Sequence, residues 1–335
     1  MKSRSCHWLI VSALVITASG ACAQQRAPPA SDQTLKTGQL SETAKVAQCS
    51  LPPGFDQKPP AFDQNRIAAF KQKASSGNAT AQCGLGFLYN NGWGVLQDHT
   101  QAVAWWRKAA EQGSASAQYF LGLMYVTGRG VPQDYIQAEM WWRKAAEQGY
   151  SAAQSTLGDL YDEGRGVPQD YSQAEVWWRK AAEQGDADAQ CGLGRLYYNG
   201  QGVSKDYTQA ALWLRKAAEQ GNASAQGLLG YLYEDGQGVP QDYAQAVAWF
   251  RKAAEQGNAK AQIVLGALYA LGQGVPKDYA EAYFWYDLAA AANDDSVTKD
   301  AAKDRDETAS HLTPADLSRE QERARKWFEA HQAKP

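Results

Sequence analysis

The chain has 335 residues, a formal net charge of −3 and four histidines. A mildly acidic chain without a basic stripe argues against nucleic acid and anionic lipid as partners. The histidines lack the spacing of metal ligands, and no Gly-x-Ser-x-Gly or phosphate-loop motif occurs, so the sequence predicts neither a cofactor nor an enzyme.

Residues 1–23 have the pattern of a secretory signal peptide. Two basic residues precede an apolar stretch over 8–18, which is too short to span a bilayer. Cleavage is predicted after Ala23, which gives a periplasmic or secreted protein. The alternative is a lipid anchor at Cys22, although Ser19 stands where a lipidation motif usually has an aliphatic residue. No later apolar run is long enough to form a transmembrane segment.

Residues 24–61 are rich in Pro, Gln, Ser and Thr, which predicts a flexible leader. A helix is then predicted from about Phe62 to Ser75, because its sequence echoes a motif that recurs later in the chain. This helix would cap the start of a repeat domain that is predicted over residues 62–293.

A strict repeat of 36 residues occupies most of the chain. The pair Leu-Gly recurs without insertion or deletion at 85–86, 121–122, 157–158, 193–194, 229–230 and 265–266. A fixed period of this size indicates one supersecondary unit stacked on copies of itself. Each unit contains two helical apolar stripes and no strand-like alternation, so about six helical hairpins are predicted in an all-α solenoid.

The second helix of each hairpin has marked ends. An aspartate N-cap is predicted at Asp98, Asp134, Asp170, Asp206, Asp242 and Asp278. A glycine that ends the helix in the left-handed conformation is predicted at Gly113, Gly149, Gly185, Gly221 and Gly257. The Arg-Lys pairs of these helices, such as Arg143-Lys144, are predicted to form solvated faces.

A tryptophan row and the glycine of each Leu-Gly pair complete the repeat. The row is Trp105, Trp141, Trp177, Trp213, Trp249 and Trp285. A stacking platform for sugars or bases is one interpretation, but equivalent positions in every copy, beside small residues, favour an inter-repeat core. The glycine should cost about 1 kcal/mol relative to alanine. Close approach of a partner helix through Ala109 and Ala110 is the expected compensation.

The repeated motifs resemble those of the Sel1-like repeat family, which is related to the tetratricopeptide repeats. They are Ala-Gln before Leu-Gly, Leu-Tyr after it, a Gly-x-Gly-Val loop, Asp-Tyr-x-Gln-Ala, and Lys-Ala-Ala-Glu-Gln-Gly, over about Phe70 to Ala290. The resemblance implies a right-handed α/α superhelix with an adaptor or scaffold role. It does not name a partner, because fold alone does not give function.

Residues 294–335 are predicted to form a C-terminal helical cap. A charged helix over about 294–308 precedes a last helix, for which Thr313 can serve as N-cap and Pro314 suits the first turn. Three apolar residues of the last helix would dock on the final repeat: Leu317, Ala324 and Trp327.

The first helices carry slots that differ from copy to copy, and these are the candidates for specificity. In related solenoids the first helices line the concave surface, which is used for binding. We expect a groove with an aromatic end and an acidic middle that binds a protein or peptide. The predicted contact residues are Phe87, Tyr119, Phe120, Leu123, Asp159, Asp162, Arg195, Tyr198 and Tyr231. The alternative is neutral drift on a solvated face.

Three cysteines remain after removal of the signal peptide. Cys83 and Cys191 hold the same slot three copies apart. With about 10 Å between adjacent helices, they lie beyond the ~7 Å Cα limit of a disulfide. The prediction is therefore a Cys49–Cys83 disulfide that pins the leader to the first repeat, and the alternative is three buried thiols.

The predicted function is a non-enzymatic interaction scaffold or adaptor of the bacterial cell envelope. One alternative is a secreted effector that binds a host protein. Another is a β-lactam-interacting envelope enzyme, since Lys36-Thr37-Gly38 and the fragment at 296–299 mimic motifs of serine enzymes. These fragments occur in reversed order and flank the solenoid, which disfavours the enzyme.

Overall fold

The computed structural model describes residues 64–292 and 295–331. This part of the chain contains α-helices and no β-strand. In chain order the helices are α1 (Gln64–Ser75), α2 (Ala79–Asn91), α3 (His99–Glu111), α4 (Ala115–Thr127), α5 (Tyr135–Glu147), α6 (Ser151–Glu163), α7 (Tyr171–Glu183), α8 (Ala187–Asn199), α9 (Tyr207–Glu219), α10 (Ala223–Asp235), α11 (Tyr243–Glu255), α12 (Ala259–Leu271), α13 (Tyr279–Ala290), α14 (Asp295–Ala309) and α15 (Pro314–His331). The prediction of an all-α repeat solenoid built from helical hairpins is confirmed.

The described chain divides into two compact units. The first unit contains residues 64–193 and 201–203, and the second contains residues 194–200, 204–292 and 295–331. Within each unit, a second helix packs on the first helix of its own repeat and on the first helix of the next repeat. Each hairpin thus completes its core with its neighbour.

None of the described helices is both long and apolar enough to cross a membrane. The predicted signal peptide, its cleavage after Ala23, the alternative anchor at Cys22 and the leader over 24–61 all lie outside the described residues. These assignments, and the domain boundaries that depend on them, stay predictions.

The helix ends follow the capping residues of the sequence. All six predicted aspartates cap second helices; at α5, Asp134 Oδ1 accepts the backbone N–H groups of Ile136 and Gln137, both at 3.0 Å. The five predicted C-terminal glycines have φ angles between 84° and 93°. Because these signals are local, they are set by the sequence of each turn rather than by packing.

The tryptophans form the inter-repeat core, as predicted. Trp106, Trp142 and Trp178, which follow the tryptophan row by one residue, are each at most 3% exposed. Each donates its indole N–H to the carbonyl of the residue 23 positions earlier, at 3.0–3.2 Å. In the row itself, Trp141, Trp177, Trp213 and Trp285 are at most 8% exposed. The buried indole N–H groups of the row have no hydrogen-bond partner among the described residues, so burial of the ring is what favours tryptophan there. Trp105 and Trp249 are only partly buried.

The glycine of each Leu-Gly pair leaves room for a large side chain, which is an aromatic ring in five copies and Leu214 at Gly194. The predicted role of Ala109 and Ala110 is wrong. A Cβ added to Gly86 would lie 2.7 Å from the indole of Trp106, and one added to Gly230 would lie 2.8 Å from the ring of Phe250. The two alanines are buried, but they are not the atoms that Gly86 meets. The close approach is therefore between a large side chain and the first-helix backbone.

A ladder of buried glutamines joins successive hairpins. Gln118, which is 4% exposed, donates from Nε2 to the Ala110 carbonyl at 3.1 Å and accepts from Gln148 Nε2 at 2.8 Å. Gln82, Gln154, Gln190, Gln226 and Gln262 make the same bond to the carbonyl eight residues earlier. Each of these glutamines adds a second donor to a carbonyl in the last turn of the preceding helix, which also accepts the backbone N–H of the glycine that follows that helix.

The Arg-Lys pairs are not simply solvated, which corrects the sequence interpretation. Lys144 Nζ lies 4.4 Å from the centroid of the Trp141 ring. Equivalent lysines cover four other members of the tryptophan row at 4.2–4.3 Å. Arg107 donates to the Tyr125 hydroxyl of the next repeat at 2.7 Å. The ammonium groups of these lysines therefore lie over tryptophan rings in a cation–π arrangement.

Both ends carry helical caps. In α1, Phe70 and Ala74 are buried in a core shared with α2. At α15, the backbone N–H of Asp316 donates to Thr313 Oγ1 at 3.2 Å, which confirms the predicted N-cap.

The docking of α15 on the final repeat involves two of the three predicted residues. Ala324 is 1% exposed, and Trp327 packs against the same core. Leu317 is partly buried.

Candidate functional site

A continuous row of partly exposed aromatic rings crosses the first two repeats and ends at the N-cap position of α6. We call Phe87, Trp93, Tyr119, Phe120 and Tyr150 the aromatic surface. Phe87 contacts the rings of Trp93 and Phe120, each with centroids 5.6 Å apart. Phe120 contacts Tyr119 at 5.6 Å, and Tyr119 contacts Tyr150 at 5.4 Å. The predicted residues Phe87, Tyr119 and Phe120 therefore lie together.

The core holds the aromatic surface in place. Phe120 stacks on the buried Trp106 with centroids 5.2 Å apart and planes at 18°. Tyr119 lies against Trp142 at 6.5 Å, and the partly buried Leu123 packs on the same core. Burial raises the pKa of Tyr150 to about 12, with a smaller contribution from Tyr119. The surface is consequently apolar and uncharged at neutral pH.

Trp93 and Tyr150 were not among the predicted contact residues, although the sequence contains a signal for each. Trp93 stands in the middle of a Gly-x-Gly loop where later copies have Arg or Gln. Tyr150 occupies the N-cap position of α6 and provides no side-chain cap bond, whereas Ser114 and Asn222 cap the equivalent helices. Both residues depart from the repeat at the aromatic surface.

The predicted acidic middle is tied to the core. Asp159 Oδ1 accepts the indole N–H of Trp178 at 3.1 Å, and Asp162 is only 6% exposed. One carboxylate is hydrogen-bonded to a core tryptophan and the other is buried, so the two do not form an open acidic patch.

Three further predicted residues are buried in the second unit. Arg195, Tyr198 and Tyr231 are 1%, 4% and 8% exposed. Side chains with so little exposed area cannot line an open groove, which corrects the expected geometry. Any ligand that they bind must occupy an enclosed site, and their role in partner binding stays a prediction.

The two tyrosines belong to one cluster with the last two residues of α10. We call Tyr198, Tyr231, Glu234 and Asp235 the acid–tyrosine cluster. Burial, and then the negative charge of Asp235, raise the pKa of Glu234 to about 7. Burial is also the main cause that raises the pKa of Tyr231, with Glu234, Tyr198 and Asp235 as further causes. The four side chains are thus electrostatically coupled.

Cys83 and Cys191 are completely buried, and both are disulfide-bonded. Cys49 lies outside the described residues, so the Cys49–Cys83 pairing stays a prediction. Among the described residues, no group of three His, Cys, Asp or Glu side chains could hold a metal ion.

The stacked hairpins and their capping pattern define an α-solenoid repeat protein. The family model of the Sel1 repeat matches residues 79–114, 115–150, 151–186, 187–222, 223–258, 259–294 and 310–330. The chain belongs to the Sel1 repeat family. The last match falls within the predicted C-terminal cap, so α15 is itself a partial repeat. Sel1 repeat folds are generally non-catalytic scaffolds that bind proteins.

Solved structures include relatives with the same repeat. A Sel1 repeat protein from Oxalobacter formigenes is 35% identical with a TM-score of 0.59, and the match covers 69% of this chain and 95% of that one. A protective antigen present in uropathogenic Escherichia coli strains is 28% identical, with a TM-score of 0.36 and coverage of 78% and 86%. A comparison with functionally curated proteins finds no match.

Proposed function

We propose that this chain is a non-enzymatic scaffold of the bacterial cell envelope that binds a protein or peptide through the aromatic surface. The observation that carries the proposal is Tyr150, which occupies a capping position without capping and instead joins the row of rings. A missing cap costs a helix about 1 kcal/mol. A departure of this kind from a local rule is typical of functional positions.

The chemistry of the aromatic surface supports recognition of an apolar segment of the partner. Its rings are rigid, partly exposed and anchored on buried tryptophans. Aromatic side chains are enriched among the residues that contribute most to protein interfaces, because they bury a large area with little loss of side-chain entropy. No group in this surface is charged, so the contacts would be mainly hydrophobic.

Crosslinking capture followed by mass spectrometry tests the proposal, with three variants of the full chain. Leu123→Lys places a charge beside the aromatic surface and should abolish capture of the partner. Tyr150→Ser installs the capping residue used at α4, so capture should weaken while the unfolding free energy changes by less than about 1 kcal/mol. Leu271→Lys is the matched control, because Leu271 is 51% exposed at the end of α12.

The control should capture the same partner as the unchanged protein. If Leu123→Lys and Tyr150→Ser both keep their thermal stability and also keep full capture, the aromatic surface is not the binding site.

We also propose that the chain is exported, because residues 1–23 have the composition of a signal peptide. Sequencing of the N-terminus of the protein recovered from the periplasm or medium should begin at Gln24. A retained Met1 would contradict export by this signal, and a lipid mass on Cys22 would favour the anchored alternative.

A further inference from the structure

The acid–tyrosine cluster combines two adjacent carboxyl groups with two tyrosines on first helices of the second unit. Tyr198 on α8 and Glu234 on α10 occupy equivalent slots in consecutive repeats. Tyr198 packs edge-on against Tyr207 with centroids 5.5 Å apart, and Tyr231 packs edge-on against Phe250 at 4.9 Å. The ring packing fixes both tyrosines, so the cluster has a defined geometry.

Two polar atoms of the cluster are buried without a hydrogen bond. Tyr231 is only 8% exposed, and its hydroxyl group has no partner among the described residues. Glu234 Oε2 is likewise inaccessible and lacks a partner in this part of the chain. A buried polar group without a hydrogen bond destabilises a folded protein, and a charged group does so more strongly. The cluster therefore has acceptor capacity that nothing described in the chain satisfies.

The local electrostatics also favour a positive charge. Glu234 and Asp235 end α10, where the partial negative charge of the helix terminus disfavours carboxylates. Among the described ion pairs, none joins Lys or Arg to either residue. Two cations are close to Tyr198 in the sequence: Arg195, which is buried one turn earlier on α8, and Lys205, which lies over the Tyr207 ring at 5.5 Å.

We propose that the acid–tyrosine cluster binds a hydrogen-bond-donating cation, the side chain of a lysine or arginine of the partner. The proposal rests on the proposed function, because it assumes a protein or peptide partner. Glu234 and the Tyr231 hydroxyl oxygen would accept N–H groups, and Asp235 would add negative charge. Charge-assisted hydrogen bonds of this kind are the strong ones in proteins. A quaternary ammonium has no N–H group, so it would leave both acceptors unsatisfied.

Small probes can test this site separately from the aromatic surface. Calorimetric titration of the full chain would use N-acetyl-lysine methylamide, N-acetyl-arginine methylamide and N-acetyl-trimethyllysine methylamide. The lysine or the arginine probe should bind at least about 10-fold more tightly than the trimethyllysine probe. Failure of both to bind, or equal binding of the trimethyllysine probe, would overturn the proposal.

Substitutions give the second test. Glu234→Gln should weaken binding of the tighter probe by about 10-fold or more, and Tyr231→Phe by about 3-fold to 10-fold. The matched control is Glu255→Gln, an exposed glutamate at the end of α11 in the same unit, which should leave affinity unchanged. An unchanged affinity in Glu234→Gln refutes the site.

The thermal stability of the free protein distinguishes binding from a structural role. Glu234→Gln removes a desolvated carboxylate, so Tm should rise by about 2–4 °C while probe affinity falls. A merely structural glutamate would instead give a lower Tm, which would count against the site. Partner capture with Leu123→Lys tests the aromatic surface, and probe binding with Glu234→Gln tests the acid–tyrosine cluster. Either proposal can therefore fail without the other.

Discussion

Two glycines of α10 provide a sharp test of how the hairpins pack. Gly227 and Gly230 are both buried in the same helix. A Cβ at Gly230 would lie 2.8 Å from the ring of Phe250, which is itself fully buried. At Gly227 the nearest described atom would be Asn258 Nδ2, at 4.0 Å. Alanine thus has room at one position and not at the other.

The expected changes in unfolding free energy have opposite signs. Alanine in a helix interior is favoured over glycine by about 1 kcal/mol, so Gly227→Ala should stabilise by about 0.5–1 kcal/mol. The same gain applies at Gly230, but overpacking against a rigid buried ring costs about 1–3 kcal/mol. Gly230→Ala should therefore destabilise by up to about 2 kcal/mol.

Urea unfolding followed by far-ultraviolet circular dichroism measures both changes. The midpoint should move in opposite directions at a constant m-value, since neither change alters the area exposed on unfolding appreciably. In a Phe250→Ala background the cost of Gly230→Ala should disappear, because the added methyl group enters vacated space. Equal stabilisation by the two substitutions would refute the account of the Leu-Gly glycine.

Three other predictions follow from the same structure. Gln118→Ala should lower the unfolding free energy by about 2–4 kcal/mol, because it removes a buried side chain and its hydrogen bonds. The control Gln101→Ala, at an exposed glutamine of α3 outside the ladder, should cost at most about 0.5 kcal/mol, and equal costs would contradict the glutamine ladder. The raised pKa of Glu234, about 7, means that the folded state binds this proton more tightly than the unfolded chain. This tighter proton binding adds up to about 3 kcal/mol to the unfolding free energy. The added stability is fully present below about pH 4.5 and is lost as the pH rises through 7. Urea unfolding at pH 5 and pH 8 should show a smaller loss of unfolding free energy in Glu234→Gln than in the unchanged protein. An equal loss in both proteins would argue against the raised pKa. Non-reducing peptide mapping of the mature protein should yield a peptide pair that joins Cys49 to Cys83; three free thiols would exclude the bond.

Much of the fold could be predicted from the sequence because its signals are local and repeated. The N-cap of Asp134 and the left-handed Gly149 depend on a few neighbouring residues, and each recurs at a fixed interval. The burial of Trp141 could be inferred because the same slot is aromatic in every copy. The aromatic end of the candidate site was also predictable, since Phe87 and Phe120 occupy slots that vary among copies.

The remaining features depend on which atoms meet across helices, and a sequence period does not specify this. Gly86 was expected to face small alanines, but the indole of Trp106 fills that space. Tyr198 and Tyr231 were expected on an open face, but they are buried beside Glu234.

The sequence by itself determined the helices, their ends, the repeat and its aromatic core, because each is set by short-range chemistry that the period multiplies. Only the tertiary structure decided how the variable residues are presented. It anchored Phe120 on Trp106 as part of an apolar surface, and it enclosed Tyr231, whose hydroxyl has no hydrogen-bond partner in the described part of the chain. The physical reason is that exposure and hydrogen bonding depend on contacts between helices that are distant in sequence.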